Sequence, residues 1–211
     1  MSKVKELNTP LLGGLGKYRY PEKNLLLSRI VGGLVWPSSE NTGAAVVVAE
    51  ESSIRPPRML HVLAEVEDAN MGELITKVST LVWDLCANTF YGRRDQVASR
   101  YLGQWNSEAR KKRMAQFFFS PAPSSDLPIE YHYSILRDRL NQKTVQFFEG
   151  SQLPGLILSV GPNQRLHNDL EYPFVSALAF AVSALTVWEP TTEVYTHTVD
   201  DGRGLFWRDR K

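Results

Sequence analysis

Apolar residues in the first third of the chain come in short runs, and this pattern predicts three successive β-strands over residues 29–35, 44–49 and 59–65. The middle run, AAVVVA, is apolar throughout, which is typical of a strand covered on both faces of a sheet. Turn-forming residues separate the runs, so antiparallel pairing of neighbours is expected. The segment before them, residues 1–28, has turn signals and little periodicity, and we predict that it forms an N-terminal arm outside the core.

From residue 71 onwards the apolar residues adopt the spacing of a helix. One such stripe predicts a helix over residues 71–87, and it consists of Leu74, Ile75, Val78, Leu81, Val82 and Leu85. The same reasoning predicts helices from Asp95 and over 128–140, 153–160 and 171–187, strands over 88–91 and 115–120, and a short strand or ordered loop over 144–148. The mostly polar residues 188–211 are expected to form a C-terminal tail, so that residues 29–187 make up one domain.

The resulting element order, βββ-α-β-α-β-α, predicts an α/β fold in which a mixed sheet has helices on both faces. This is the order of the ribonuclease H-like fold. Two stretches, residues 33–48 (GLVWPSSENTGAAVVV) and 168–181 (NDLEYPFVSALAFA), resemble the first hairpin and the closing helix of the nuclease domain of phage large terminases. In that family the first strand ends in a Gly-x-Asp-Pro-type turn, and an Asp opens the last helix.

The resemblance implies a two-metal phosphodiester nuclease. In such enzymes several carboxylates at the ends of neighbouring strands hold two Mg²⁺ or Mn²⁺ ions, of which one activates water and the other stabilises the leaving oxygen. For an active chain, the resemblance therefore implies a divalent-metal-dependent endodeoxyribonuclease with Mg or Mn as cofactor. It also implies DNA and phage packaging proteins as partners.

The residues of this chain match that metal site only in part. The family's first metal-binding Asp falls at Trp36, which cannot ligate a metal. Asp169 matches the last acidic position and Asp95 lies nearest to the second, so both are candidate catalytic residues. The candidate metal ligands are Asp169, Glu171 and Glu65. The alternative for Asp95 and Asp169 is the ordinary role of an Asp at the beginning of a helix.

Three further residues have the chemistry of a metal ligand, although each is also common at a protein surface. Glu40 lies in the first hairpin, Glu73 near the start of the first long helix, and His167 just before Asp169. Because Trp36 stands where the ligand shared by both metals would stand, we expect a catalytically degenerate site centred on Asp169, with little or no activity.

Clusters of Arg and Lys residues suggest nucleic-acid binding as a second possible function. Aromatic residues flank them, and this combination suits a surface that follows a nucleic-acid backbone. The candidate nucleic-acid-binding residues are Arg93, Arg94, Arg110, Lys111, Lys112 and Arg113. The alternative is a solvated loop before a buried strand.

Composition narrows these possibilities. With 24 Lys and Arg against 23 Asp and Glu, the net charge is +1, which argues against a protein that binds nucleic acid by overall charge. The single cysteine, Cys86, excludes a disulfide framework. The chain has no phosphate-binding loop motif and no long apolar run, so we expect no nucleotide cofactor, no membrane span and a cytoplasmic location.

Three functions stay open at this point. The first is a phage- or prophage-derived terminase nuclease-like domain related to DNA packaging or processing. The second is a non-catalytic module of ribonuclease H-like fold that binds a protein or DNA. The third is an unrelated α/β protein with no active site. Metal-dependent DNA cleavage separates the first from the second, and convergence of carboxylates in the structure separates both from the third.

Overall fold

The computed structural model describes residues 4–12, 16–55, 57–112, 115–124, 126–161 and 168–187. Within these ranges the strands are β1 (Lys5–Leu11), β2 (Gly16–Tyr20), β3 (Leu25–Val35), β4 (Gly43–Glu51), β5 (Leu60–Asp68), β6 (Thr89–Gly92), β7 (Phe118–Pro121) and β8 (Val145–Gln146). The helices are α1 (Met71–Leu85), α2 (Gln96–Lys111), α3 (Ile129–Asn141), α4 (Leu153–Val160) and α5 (Pro173–Val187). In this part of the chain no helix is both long enough and apolar enough to cross a membrane.

Strand β3 is the centre of one mixed sheet. On one side it pairs with β4, which pairs with β5, both antiparallel, and β8 adds to β5 in parallel. On its other side β3 pairs antiparallel with β2 near its start and parallel with β6 near its end, and β7 continues in parallel beyond β6. The predicted α/β fold and the predicted antiparallel pairing of the first strands are confirmed, and the architecture is consistent with the ribonuclease H-like fold.

The two faces of β4 explain why its sequence is apolar throughout. Ala44, Val46 and Val48 belong to a core with α3, α4 and α5, and the alternate residues Ala45, Val47 and Ala49 belong to a second core with α1 and α2. Successive side chains of a strand point to opposite faces, so a strand between two helical layers needs apolar residues at every position. The expected helices on both faces are therefore present.

Helix α5 lies directly on β3 at a position without a side chain. A Cβ atom on Gly33 would lie 1.7 Å from the backbone oxygen of Ala177, so only glycine permits this contact. On the other face, a Cβ on Gly32 would overlap the ring of Phe90. Gly33 thus lets β3 lie close to α5, whereas Gly32 leaves room for a ring of the neighbouring strand β6.

The segment before Arg29 contains more regular structure than its sequence indicates. Strands β1 and β2 form an antiparallel hairpin, and β2 pairs with the start of β3. These strands were not predicted from the sequence, because an edge hairpin with mostly exposed side chains has no apolar stripe to reveal it. The division into arm, domain and tail stays a prediction, and residues 188–211 lie outside the described residues.

Candidate functional site

The loops that follow β3 and β6 meet at one end of the sheet. Because β6 runs parallel to β3, the carboxyl ends of both strands lie at the same edge. There they border a cavity of about 210 Å³. Its lining comprises Leu34, Val35, Trp36, Pro37, Ser38, Arg93, Arg94, Asp95, Asp169 and Leu170. The structure thus brings together the three places, far apart in sequence, at which the family resemblance expects acidic residues.

Trp36 fills the first of these places. Its indole is buried and lies against the ring of Phe119 on β7, with 5.1 Å between ring centroids. Within the described part of the chain, its Nε1 atom has no hydrogen-bond partner. Trp36 therefore acts as an apolar wall of the cavity.

Arginine side chains occupy the second place. Arg93 and Arg94 follow directly after β6, and both line the cavity. The nearby carboxylate of Asp95 accepts a hydrogen bond of 2.8 Å from the backbone N–H of Ala98, and Asp95 is the N-cap of α2. The capping interpretation of Asp95 is thus confirmed by its geometry.

Asp169 is the one acid of the cavity that does not cap a helix, and its neighbour is a cation. Its Oδ1 atom lies 3.6 Å from Nη1 of Arg93, and its side chain is 15% exposed. Helix α5 begins only at Pro173, so Asp169 lies in the turn before the helix and is not its cap. The predicted start near residue 171 is too early, because Pro173 suits the first turn of a helix.

The other candidate acids do not line this cavity. Glu65 accepts hydrogen bonds from Gln152 N (2.7 Å) and Ser151 Oγ (3.1 Å), so it holds the beginning of α4. Glu171 lies in the same turn as Asp169, but the cavity lining ends at Leu170. Glu40 is exposed in the turn after β3, and Glu73 is exposed in the first turn of α1.

The residues present do not fit a two-metal centre. Across residues 4–187, apart from the gaps in the description, no group of three or more His, Cys, Asp or Glu side chains converges in a way that could hold a metal ion. Two divalent cations repel each other strongly, and only several carboxylates offset that repulsion. Asp169 alone, beside a guanidinium, does not provide this charge. His167 lies outside the described residues.

The predicted basic residues fall into two separate sets. Arg93 and Arg94 lie just before α2, whereas Arg110 and Lys111 are in its last turn and Lys112 is its C-cap. A helix of 16 residues is about 24 Å long, so the two sets lie far apart. Lys111 also pairs with Glu108 at 2.6 Å. Arg113 lies outside the described residues.

A buried histidine lies near the cavity. His132 is fully buried on α3, and its Nδ1 atom lies 3.0 Å from Oγ of Ser183 on α5. Burial, and secondarily the positive charge of Arg93, lowers the pKa of His132 to about 4. Arg93 thus pairs with Asp169, and its charge also disfavours protonation of His132.

A second cavity, of about 480 Å³, adjoins the first, and the sequence does not reveal it. Its lining comprises Arg94, Gln96, Ser99, Arg100, Phe119 and Pro121. Arg94 lines both cavities. The sequence shows an aromatic run over 117–119, but only the pairing of β6 with β7 determines which ring faces α2.

Comparisons of the sequence with known proteins give no match, whereas a solved structure is similar to this chain. No protein-family model matches the chain, and no curated protein matches it. Among solved structures, the chain is similar to the crystal structure of the HK97 bacteriophage large terminase, with 9% sequence identity and a TM-score of 0.49. The match covers 74% of this chain and 39% of that one, so this chain corresponds to well under half of the terminase's length.

Proposed function

We propose that this chain is a nuclease-like domain of ribonuclease H-like fold that binds DNA without cutting it. The observation that carries the proposal is the content of the first cavity: Trp36, Arg93 and Asp169 occupy the places where the terminase resemblance expects metal-binding acids. An indole and a guanidinium replace two of the three. The chemistry of the cavity therefore differs from that of a two-metal site.

The charge arrangement supports the loss of metal-dependent chemistry. A divalent cation entering the cavity would have to compete with Arg93 for Asp169, the one lining carboxylate that does not cap a helix. Like charges repel strongly at such distances in a partly buried site. Any ion held there would be weakly held, and a second ion would have no ligands of its own.

The same arrangement supports binding of a nucleic-acid backbone. The side chains of Arg93, Arg94 and Arg100 lie around the two adjoining cavities. Guanidinium groups are well suited to phosphate, because their planar donors match its oxygens. Together with the two terminase-like stretches, this favours a role in phage or prophage DNA packaging or processing, alongside other packaging proteins.

A cleavage assay tests the catalytic part of this proposal. Supercoiled plasmid incubated with the full chain should stay intact in millimolar Mg²⁺, with at most trace nicking in Mn²⁺. Robust Mg²⁺-dependent cleavage that disappears in Asp169→Asn would contradict the proposal, because Asp169 would then hold a metal together with further carboxylates.

A binding assay tests the other part. The double variant Arg93→Ala/Arg94→Ala should bind a labelled DNA oligonucleotide roughly tenfold more weakly by fluorescence anisotropy, and the dependence on salt should become shallower. The matched control removes two cations from the other end of α2, as Arg110→Ala/Lys111→Ala. Equal losses in both double variants would show that binding reflects general charge and not the cavity.

A further inference from the structure

The second cavity contains the three kinds of group that a nucleotide requires. Phe119 and Pro121 supply an aromatic ring and an apolar surface, Gln96 and Ser99 supply an amide and a hydroxyl, and Arg100 supplies a cation. A nucleotide offers a flat base, polar groups on the edge of the base, and a phosphate. Arg94 stands between this cavity and the first.

We propose that the second cavity holds the base of an unpaired nucleotide, with its phosphate against Arg94, so that the preferred ligand is single-stranded nucleic acid. This inference rests on the proposed function and specifies the ligand of the same surface. The proposed ligand is a strand whose bases are not held in a double-helical stack.

Phe119 is held in a fixed position as a stacking surface. Trp36 lies against it from the first cavity, with 5.1 Å between ring centroids. On β6, a Cβ added to Gly92 would lie 3.1 Å from Cε2 of Phe119, so glycine leaves room for the ring. A ring that is already in place loses little freedom when a base stacks on it, and such stacking is tolerant of sequence.

The cations around the cavity are available to a phosphate. Arg94 and Arg100 are exposed, and within the described residues the structure shows no ion pair to either. Arg94 lies just before α2, and Arg100 lies in its second turn. Phosphate binding at this point would therefore not require breaking an existing salt bridge.

A paired base does not meet these requirements. In a duplex the faces of each base are covered by its neighbours and its hydrogen-bonding edge by its partner, so a base must leave the helix to reach such a cavity. Single strands present their bases without that cost. The shape and chemistry of the second cavity therefore favour single strands over duplexes.

The experiment compares three labelled probes by fluorescence anisotropy: a single-stranded DNA oligonucleotide, an RNA of the same sequence, and the DNA duplex. The full chain should bind at least one single strand roughly tenfold more tightly than the duplex. Phe119→Leu should remove most of this preference by weakening single-strand binding more than duplex binding, because it keeps apolar bulk and removes the aromatic face. The matched control is Phe118→Leu, since Phe118 is the preceding residue of β7, is 63% exposed and points to the other face of the strand.

Two exposed positions keep the test valid even where Phe119→Leu fails to fold. Gln96→Ala and Arg100→Ala should each weaken binding of the single strand more than binding of the duplex. Equal affinity for single strands and duplex, unchanged in all of these variants, would overturn the inference and leave the proposed function standing. Absence of binding to every probe would overturn the proposed function itself.

Discussion

His132 shows what a single buried residue contributes. Its pKa in the folded protein is lowered to about 4, first by burial and then by the charge of Arg93. In the unfolded chain it would titrate near its ordinary value of about 6.5. Between these values the unfolded state binds more protons, so stability should fall as the pH drops from about 6.5 towards 4, by up to about 3 kcal/mol.

Chemical denaturation at a series of pH values measures this effect. His132→Asn keeps a polar atom near Ser183 but removes the titrating ring, and it should flatten the slope between pH 4 and 6.5. The same slope in the variant would mean that carboxylates elsewhere cause it. Sequence alone could not have identified this residue, because a lone histidine in a helix gives no sign of whether its ring meets water or Ser183.

Two contacts of single residues could not be predicted from the sequence. Trp36, Asp95 and Asp169 all line one cavity, and their role in a functional site stays a prediction. The sequence could not show that Arg93 faces Asp169, because this contact depends on the paths of two loops that are far apart in the chain. Nor could it show that Glu65 holds the beginning of α4.

At the scale of elements, the contact between α5 and β3 depends on glycine. Gly33→Ala should destabilise the fold by about 2 kcal/mol or more, because its Cβ would lie 1.7 Å from a backbone oxygen that cannot rotate away. Gly103→Ala in α2 is the matched control, since nothing lies within 4 Å of its added Cβ. That change should stabilise the protein by up to about 1 kcal/mol.

Denaturant midpoints of the two variants give the comparison. Equal changes of the same sign would mean that the close contact of α5 with β3 contributes nothing to stability.

Elements with a strong apolar pattern, such as β4 and α1, were predictable to within a few residues. The polar hairpin of β1 and β2 was not, because its pairing with β3 follows from the tertiary fold.

At the scale of the whole molecule, the absence of a converging carboxylate set among the described residues has a thermodynamic consequence. A ligand stabilises the folded state in proportion to the logarithm of its concentration over its dissociation constant. Millimolar Mg²⁺ should therefore leave the melting temperature unchanged, whereas a single-stranded oligonucleotide should raise it. A rise with Mg²⁺ that disappears in Asp169→Asn would contradict the proposed function.

At this scale the first cavity depends on the sheet, because parallel pairing of β3 with β6 brings their carboxyl ends together whatever the loops contain. The division of the basic residues between the two ends of α2 follows from the length of that helix. The second cavity could not be predicted from the sequence. It exists because β7 places the ring of Phe119 beside the first turns of α2.

In evolutionary terms, the ion pair between Arg93 and Asp169 sets the order in which this cavity could acquire a two-metal site. Trp36→Asp by itself would add a carboxylate to a cavity that Arg93 also lines, where the cation would attract it before any metal arrived. Arg93 would have to change first, yet that change alone leaves Asp169 without its neighbour and brings no activity. Each single step is thus without benefit, and a mutational path to catalysis has to cross an inactive intermediate.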